Sequence, residues 1–345
     1  MQIGKRLSKL LSHQQSGLVI LILALGAILT SFAGSHVNNL THQSTNNFLN
    51  IATLMRTASD ASLFAIMAVG ATIVIISGGI DLSVGAIFAL ASVVMGLVLR
   101  SMGGMGSGTI FAVGLAVCCG IGLLCGFING LMVAGLKVHP FIITLGTMWI
   151  FRGIAFVSTK AESILIPNSL TDVIKATFGF GPGVYPVPML VMVGVAIVGA
   201  IYLTKTVAGR YVFALGGSEG ASRYAGLNIS KIQVGVYVCS GLCAGLAAFV
   251  GASFFGSASC QDATGYELYV VASAVVGGAS LSGGRGSAIS AMLGALLIVL
   301  MRQGIRTLKL DQNYEWIIIG CAIIIAVVLD RLNARWSVRR QTLAQ

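Results

Sequence analysis

Long apolar stretches with few charged residues recur along the whole chain, and they limit the fold more than any other feature. A helix needs roughly 20 mostly apolar residues to cross the hydrocarbon core of a bilayer. These stretches do not alternate with the period of two that a membrane-spanning strand shows, so helices are predicted. Ten candidate spans follow, at residues 17–34, 59–77, 82–100, 108–127, 141–157, 188–206, 232–255, 268–280, 287–302 and 314–330.

The composition agrees with a membrane protein. Charged residues make up 9% of the chain and apolar residues 56%, whereas a soluble globular domain carries roughly 25% charged residues. The net charge is +11, but the basic residues flank apolar stretches and therefore indicate orientation in a membrane, with no nucleic-acid partner. The sequence predicts an all-α polytopic membrane protein with a single transmembrane domain over residues 1–345.

The first apolar stretch has two interpretations. Lys5, Arg6 and Lys9 precede it, and the small residues 33–35 follow it, as in a cleaved signal peptide. The alternative is an uncleaved first span. We favour the span, because the stretch is nearly long enough to cross a bilayer and many further spans follow.

An even number of spans places both termini on the same side of the membrane. If the N-terminus is cytoplasmic, thirteen of the 21 Lys and Arg residues lie on the cytoplasmic side, as the positive-inside rule requires. The prediction is a multi-pass protein of the bacterial inner membrane with both termini cytoplasmic. The thirteen are Lys5, Arg6, Lys9, Lys137, Lys205, Arg210, Arg223, Lys231, Arg285, Arg331, Arg335, Arg339 and Arg340.

Two glycine-rich breaks between apolar stretches resemble each other. Residues 78–85 read GGIDLSVG and residues 277–284 read GGASLSGG, so that Gly277 and Gly278 pair with the first two glycines. Duplicated halves are common in transporters, and both copies lie on the same side here, which predicts a parallel internal repeat. The segment 268–302 is either two spans or one broken helix.

Ionisable residues inside the spans are candidate functional residues, because burying a charge in a membrane is costly. The Asp81 carboxylate either pins the break between two helices or faces the pathway. It is also placed to cap the following helix, and this role is compatible with either of the others. Arg152 either lines the pathway, pairs with a buried carboxylate, or reaches the outer interface. The hydroxyl residues Ser83, Thr144 and Thr147 are further candidates for the break or the pathway.

Small residues within the spans are read mainly as packing residues. Gly122, Gly126 and Gly130 repeat every four residues and share one helix face, which serves either internal packing or contact with a second copy. Cys239 and Cys243 lie one turn apart as metal ligands could, but no His or carboxylate accompanies them. No metal site or cofactor is predicted.

Catalytic motifs are missing. The sequence contains no Walker A pattern and no GxSxG motif, so the chain has no visible means of hydrolysing ATP and is not predicted to be an enzyme. Few ionisable residues lie in the spans, although proton- or sodium-coupled transporters usually need several. Both observations favour transport driven by energy supplied from outside this chain.

The loop 207–230 is the largest cytoplasmic one in this topology. It is basic and glycine-rich, and residues 218–225 can form a short helix with Ser218 as its cap and Glu219 near its positive end. Such a helix is either an ordinary surface feature or a grip for an external motor.

Four stretches occur in the order and spacing of a known family. They are SGGIDLSVGAIFALAS at 77–92, HPFIITLGTMWIFRG at 139–153, TVAGRYVFALGGSEGASRYAGLNISK at 206–231, and GYELYVVASAVVGGASLSGGRGSAISAMLGA at 265–295. Together they resemble the permease subunits of bacterial ATP-binding-cassette importers for ribose, galactose, xylose and related small sugars. The resemblance extends over nearly the whole chain.

The resemblance implies a fold like that of the vitamin B12 permease, with about ten helices per subunit. It also implies a second permease copy, identical or paralogous, two cytoplasmic ATP-binding subunits and a periplasmic sugar-binding protein. In that family the loop between the sixth and seventh helices docks into the ATPase. The coupling loop here is 207–230, with Gly216, Gly217, Ser218, Glu219, Arg223 and Gly226 as candidate contacts.

The chain departs from the family pattern at a few positions. Ser218 stands where Asn is usual, Ser222 stands where Ala is frequent, and Tyr269 stands where Asp is common. The predicted function is a non-catalytic permease subunit that moves a pentose or hexose inward by alternating access, with the ATPase on a separate chain. The alternative is a stand-alone proton-coupled secondary carrier or a channel for a small polar solute.

Overall fold

The computed structural model describes residues 14–37, 44–181, 183–322, 324, 325 and 328. Within them the chain is helical, and residues 314–322 continue as helix after the last numbered element. The helices are α1 Gln14–Phe32, α2 Ile51–Ile76, α3 Val84–Arg100, α4 Ser107–Leu136, α5 Pro140–Thr159, α6 Asn168–Ile174, α7 Pro186–Lys205, α8 Val207–Gly217, α9 Glu219–Tyr224, α10 Ile229–Phe255, α11 Tyr266–Val276 and α12 Ala288–Thr307.

Two short antiparallel strand pairs complete the described part of the chain. Strands β1 (Ser35–Val37) and β2 (Ser44–Asn46) pair with each other, and β3 (Ile164–Leu165) pairs with β4 (Ser257–Ala258). The second pair ties the connection after α5 to the end of α10. The predicted all-α class is therefore confirmed, with strands confined to connections.

Membrane-spanning length is reached by seven helices of the described residues, namely α1, α2, α4, α5, α7, α10 and α12. Helices α3 and α11 are apolar but shorter. Each of the first nine predicted spans coincides with a helix, while part of the tenth, 314–330, lies outside the described residues. The protein is thus an α-helical protein with several apolar helices long enough to cross a membrane.

The first helix packs against the rest of the protein. Leu29 of α1 lies against Gly304 and Leu300 of α12, and the Gln15 side chain donates a 3.4 Å hydrogen bond to the Ser287 hydroxyl near the other end of α12. Residues near both ends of α1 thus contact α12 or the connection just before it.

Helix α2 forms the centre of the fold. It is buried along nearly its whole apolar length and packs against α7, α10, α11 and α12. Asn50 starts α2 by accepting a 2.8 Å hydrogen bond from the Thr53 amide, which satisfies one of the free N–H groups of the first turn. A central helix that is apolar on all sides is what a buried position in a bundle requires.

Helices α4 and α10 approach each other closely through their glycines. A Cβ at Gly122 would overlap the carbonyl oxygen of Gly241, and one at Gly126 would overlap that of Tyr237. The backbones can approach this closely only because side chains are missing at the contact. The predicted glycine face therefore serves internal packing, as we favoured, and Cys243 likewise lies against Gly70 of α2.

The segment 268–302 forms two helices rather than one broken helix. Helices α11 and α12 pack antiparallel: Gly277 lies against Ser290 and Ala291, and Gly294 lies against Ser273. The connection 277–287 reverses the chain between them.

The two ends of the bundle are defined by contacts between α2 and α12. The Gly284 amide donates a 2.8 Å hydrogen bond to the Ile76 carbonyl, so the connection before α12 touches the end of α2. At the opposite end, Arg306 pairs with Asp60 at 3.3 Å. Both glycine-rich breaks therefore meet at one end of the bundle, which agrees with the predicted placement of both copies on the same side.

The register predicted for the internal repeat is wrong by one residue. The sequence pairs Gly78 with Gly277, an offset of 277 − 78 = 199. In the structure α2 ends at Ile76 and α11 at Val276, and the left-handed residues are Gly78 (φ +88°) and Gly278 (φ +91°), an offset of 278 − 78 = 200. Glycine readily takes the left-handed conformation that ends a helix, so the left-handed glycine of each break shows which residues correspond. A sequence comparison pairs glycines without regard to their conformation, and here it paired the wrong two.

Candidate functional site

The first glycine-rich break, residues 78–85, places the buried carboxylate of Asp81 near the side chains of Ser83, Asn129 and Ser240. Asp81 is 1% exposed. Its Oδ1 accepts hydrogen bonds from the Ser83 amide (2.9 Å) and the Ser83 hydroxyl (2.6 Å), and its Oδ2 accepts one from the Ser240 hydroxyl of α10 (2.8 Å). The side-chain amide of Asn129, in α4, donates a 2.7 Å hydrogen bond to the Ser83 hydroxyl. We call Asp81, Ser83, Asn129 and Ser240 the Asp81 cluster.

Helix α5 and a tyrosine complete the surroundings of the first break. The Thr144 hydroxyl donates to the Ile80 carbonyl at 3.1 Å. The Tyr237 hydroxyl is so close that a Cβ at Gly79 would lie 2.7 Å from it. Among the described residues, this hydroxyl and the Asn129 side-chain oxygen are buried without a hydrogen-bond partner. The break is thus attached to α4, α5 and α10 by hydrogen bonds.

Asp81 combines features of its two predicted roles. Its carboxylate accepts the N–H of Ser83, the residue that precedes the first turn of α3, which is a local turn-type hydrogen bond at a helix start. Its second oxygen joins the break to α10 through Ser240. Burying a carboxylate is tolerated here because both oxygens accept hydrogen bonds.

Arg152 lies apart from the Asp81 cluster and holds a different segment. Its guanidinium donates to the carbonyls of Cys260 (2.8 Å), Asp262 (2.6 Å) and Ala263 (3.4 Å), all in the connection between α10 and α11. With 9% exposure, its side chain is buried against this connection. Burial raises the pKa of the nearby Asp262 carboxyl above its ordinary value, although the Ser259 amide and Arg152 act in the opposite direction.

The remaining predicted residue of α5, Thr147, donates to the Thr144 carbonyl within its own helix at 3.3 Å. It is buried, so it supports the packing of α5 without reaching the Asp81 cluster. Thr144 is therefore the predicted residue of α5 that contacts the first break directly.

The loop 207–230 folds into α8 and α9, as the short helix predicted there requires. Ser218 caps α9 by accepting a 3.2 Å hydrogen bond from the Ala221 amide, and Gly226 follows α9 with φ +79°. Glu219 and Arg223 form an exposed pair at 2.8 Å. Tyr224, the last residue of α9, is 96% exposed.

Gly216 joins this loop to both breaks. A Cβ at Gly216 would overlap the carbonyl oxygen of Ile76, at the end of α2, and would lie 2.6 Å from the Gly284 amide nitrogen. Gly283 also lies against the backbone of Gly216. We call Ile76, Gly216, Gly283 and Gly284 the glycine junction. The predicted loop residues and the second break, with Gly277 and Gly278 at its start, thus meet in space.

Several residues of these clusters were not identified from the sequence. Asn129 and Ser240 lie inside apolar stretches, and an amide within a span was a signal that could have marked Asn129. Tyr237 and Tyr224 carried no distinguishing pattern, because tyrosines are common at span ends and in loops alike.

Comparison with known proteins extends these observations. The sequence matches the family described as branched-chain amino acid transport system / permease component over residues 53–327. This region includes the Asp81 cluster, Arg152 and the glycine junction.

Named relatives are similar over most of their length. The ribose import permease protein of Escherichia coli K12 is 37% identical over 286 residues, covering 82% of this chain and 87% of the relative. The fructose import permease protein of Rhizobium meliloti is 34% identical over 291 residues (82% and 79%). The D-allose transport system permease protein of Escherichia coli K12 is 34% identical over 288 residues (84% and 86%). Because the family match and these relatives all cover well over half of the chain, the protein belongs to this family of membrane permease components.

Proposed function

We propose that this chain is the membrane-spanning permease subunit of an ATP-driven importer that carries a small sugar of the pentose or hexose type inward. The observation that carries the proposal is the similarity, over more than four fifths of the chain, to permeases named for ribose, fructose and allose.

The proposed architecture has ten spans and resembles the vitamin B12 permease, with both termini on the cytoplasmic side of the inner membrane. The first nine predicted spans coincide with helices, and residues 314–322 begin the tenth. The orientation is supported by the Lys and Arg residues of the two tails, which bring the cytoplasmic share in this topology to thirteen of 21.

The proposed assembly contains a second permease copy, two ATP-binding subunits on separate chains and a periplasmic sugar-binding protein. The permease contributes no hydrolysis. Its segment α8–α9 contacts the ATPase, and Tyr224 is suited to fill a pocket there, because exposed aromatic side chains often anchor protein interfaces.

The proposed mechanism runs through the glycine junction. When ATP binding draws the ATPase subunits together, α9 moves with them and α8 transmits the movement through Gly216 to the end of α2 and the connection 277–287. Both breaks then shift together, and the protein exchanges inward-open and outward-open states. ATP acts by changing the relative free energies of those states.

The test uses the purified transporter reconstituted with its ATPase and binding protein. We expect Glu219→Ala, Arg223→Ala and Tyr224→Ala to lower sugar uptake per ATP hydrolysed severalfold and to weaken co-purification of the ATPase subunit. The fold should survive, because the exposed Glu219–Arg223 pair contributes only about 0.3–0.5 kcal/mol.

Tyr314→Ala is the matched control, since Tyr314 is also an exposed aromatic but lies beyond α12, at the opposite end of the bundle. Wild-type coupling in all three loop variants would refute the role of α8–α9. Uptake that needs no ATPase and collapses when the proton gradient is removed would instead establish the secondary carrier.

A further inference from the structure

A second polar site lies at the end of the bundle opposite to the glycine junction. A cavity of about 250 Å³ opens there between α11, the last turns of α12 and the residues that follow α12. It is lined by Thr264, Tyr266, Tyr269, Arg302, Gln312, Asn313, Glu315 and Trp316. None of these residues belongs to the Asp81 cluster or to the coupling segment.

Aromatic rings form one wall of this cavity. The rings of Tyr269 and Trp316 lie 6.2 Å apart at 65°, and those of Tyr266 and Tyr269 lie 6.3 Å apart at 63°. Trp316 is 58% exposed, so much of its indole remains free to contact another molecule. An apolar surface is thus available beside the polar groups.

The polar groups of the cavity are held in fixed positions. Arg302 Nε lies 2.6 Å from Glu315 Oε1, and the Tyr269 hydroxyl donates to the same carboxylate. The Arg302 guanidinium also lies over the rings of Phe64 and Tyr269, at 5.4 and 5.1 Å from their centroids. Such a network orients the charged groups before any ligand arrives, which lowers the cost of binding.

This combination of groups fits a sugar ring. A monosaccharide has an apolar C–H face, which packs on an aromatic ring, and hydroxyls that both donate and accept hydrogen bonds. Arg302 supplies further N–H donors, Glu315 supplies acceptors, and the side chains of Gln312 and Asn313 supply both. The volume lies just below the roughly 300–1,000 Å³ of sites for drug-sized ligands, as a smaller ligand requires.

We propose that this cavity is a sugar-contact site of the permease, at which a monosaccharide binds on the side where it enters. The proposal rests on the proposed function, since the cavity is the entry side only if α8–α9 face the cytoplasm. A membrane-interface belt would also place Trp and Tyr at a span end, but a belt does not require the ion pair of Arg302 and Glu315 that joins the rings.

The experiment measures direct binding to the full chain in lipid nanodiscs without the binding protein. D-ribose, D-fructose and D-allose are each added, and saturation transfer from protein to sugar protons is recorded by NMR. We expect a signal for at least one sugar in the wild type. We expect Trp316→Ala and Tyr269→Phe to weaken apparent affinity about tenfold, the effect of losing one strong contact.

Tyr314→Ala is again the control, because Tyr314 is exposed and close in sequence but does not line the cavity. It should bind as the wild type does. The proposal is overturned if no sugar gives a signal, if both cavity variants bind unchanged, or if Tyr314→Ala weakens binding as much as they do, as a general interface role would predict.

Uptake by the reconstituted transporter separates this proposal from the proposed function. ATP-driven sugar uptake by the wild type supports the proposed function whatever the NMR result. Uptake together with an absent binding signal would leave the permease role intact and remove the sugar-contact site alone.

Discussion

Asp81 illustrates how a single acidic residue is accommodated inside an apolar bundle. Three donor groups, from Ser83 and Ser240, satisfy its two oxygens, and Asn129 extends the network to α4. A carboxylate engaged in this way stabilises the join between the first break and α10. The geometry therefore favours a structural role over a site that must take up and release a proton in each transport cycle.

Replacing Asp81 separates these two roles. We expect Asp81→Ala to destabilise the protein by about 2–4 kcal/mol, because the Ser83 and Ser240 hydroxyls lose their buried acceptor. Asp81→Asn keeps one acceptor oxygen and should retain most stability and ATP-driven uptake. Thermal unfolding followed by a thiol-reactive dye measures this, since Cys118, Cys125 and Cys260 are buried and react only on unfolding.

Asp311→Ala serves as the control, because Asp311 is exposed and its carboxylate accepts a hydrogen bond from the Asn313 amide outside the core. An Asp81→Asn protein that folds normally but transports nothing would point to proton coupling and restore the secondary-carrier alternative.

At the scale of helices, glycines determine where two helix backbones can come into close contact. Gly122 and Gly126 bring α4 against α10, while Gly277 and Gly294 bring α11 against α12. At other glycines of the same helices, such as Gly120, an added Cβ would meet no atom within 4 Å. The spacing of four residues identified the α4 face correctly, and its partner is a helix of the same chain.

The glycine junction offers an adjacent pair for a test of α8. We expect Gly216→Ala to destabilise the protein by about 1–3 kcal/mol, because the added methyl group overlaps the backbone of Ile76 and Gly284. It should also separate ATP hydrolysis from sugar uptake. Gly217→Ala places its methyl group in open space and should behave as the wild type.

Uptake, ATPase activity and thermal unfolding of the two variants are compared in the same preparation. Equal coupling in Gly216→Ala and Gly217→Ala would show that movement of α8 is transmitted by another contact.

At the level of the whole molecule, the two ends of the bundle, defined by the contacts of α2 with α12, carry different features. One end holds both breaks and the segment α8–α9, and the other holds the Asp60–Arg306 pair and the cavity around Arg302. An importer needs such a separation, because the motor acts on one side of the membrane and the sugar arrives on the other.

Reporter fusions test the orientation of these ends. We expect alkaline phosphatase, which is active only outside the cytoplasm, to be inactive when fused after Gly226 and active when fused after Lys309. The reason is that Gly226 lies at the basic α8–α9 end and Lys309 at the opposite end. The reversed pattern would invert the topology and, with it, the proposed entry side.

The apolar stretches alone were enough to predict the membrane class and the positions of the first nine spans. A bilayer demands apolar residues over a fixed length within each span, and this demand is local, so it can be read residue by residue. The four stretches that resemble the permease family also pointed correctly to it, since the family match covers residues 53–327.

The contacts between distant residues, by contrast, could not be predicted before the packed helices were seen. Arg152 contacts carbonyls of the 260–263 segment, Gly216 contacts Ile76, and Tyr269 contacts Glu315. The partners in each pair are at least 46 residues apart in the chain. Such contacts depend on how each helix is rotated and tilted, and neighbouring helices set both through packing. The one-residue shift of the repeat has a related cause. The position at which each helix ends, rather than the local sequence match, determines which glycine is left-handed.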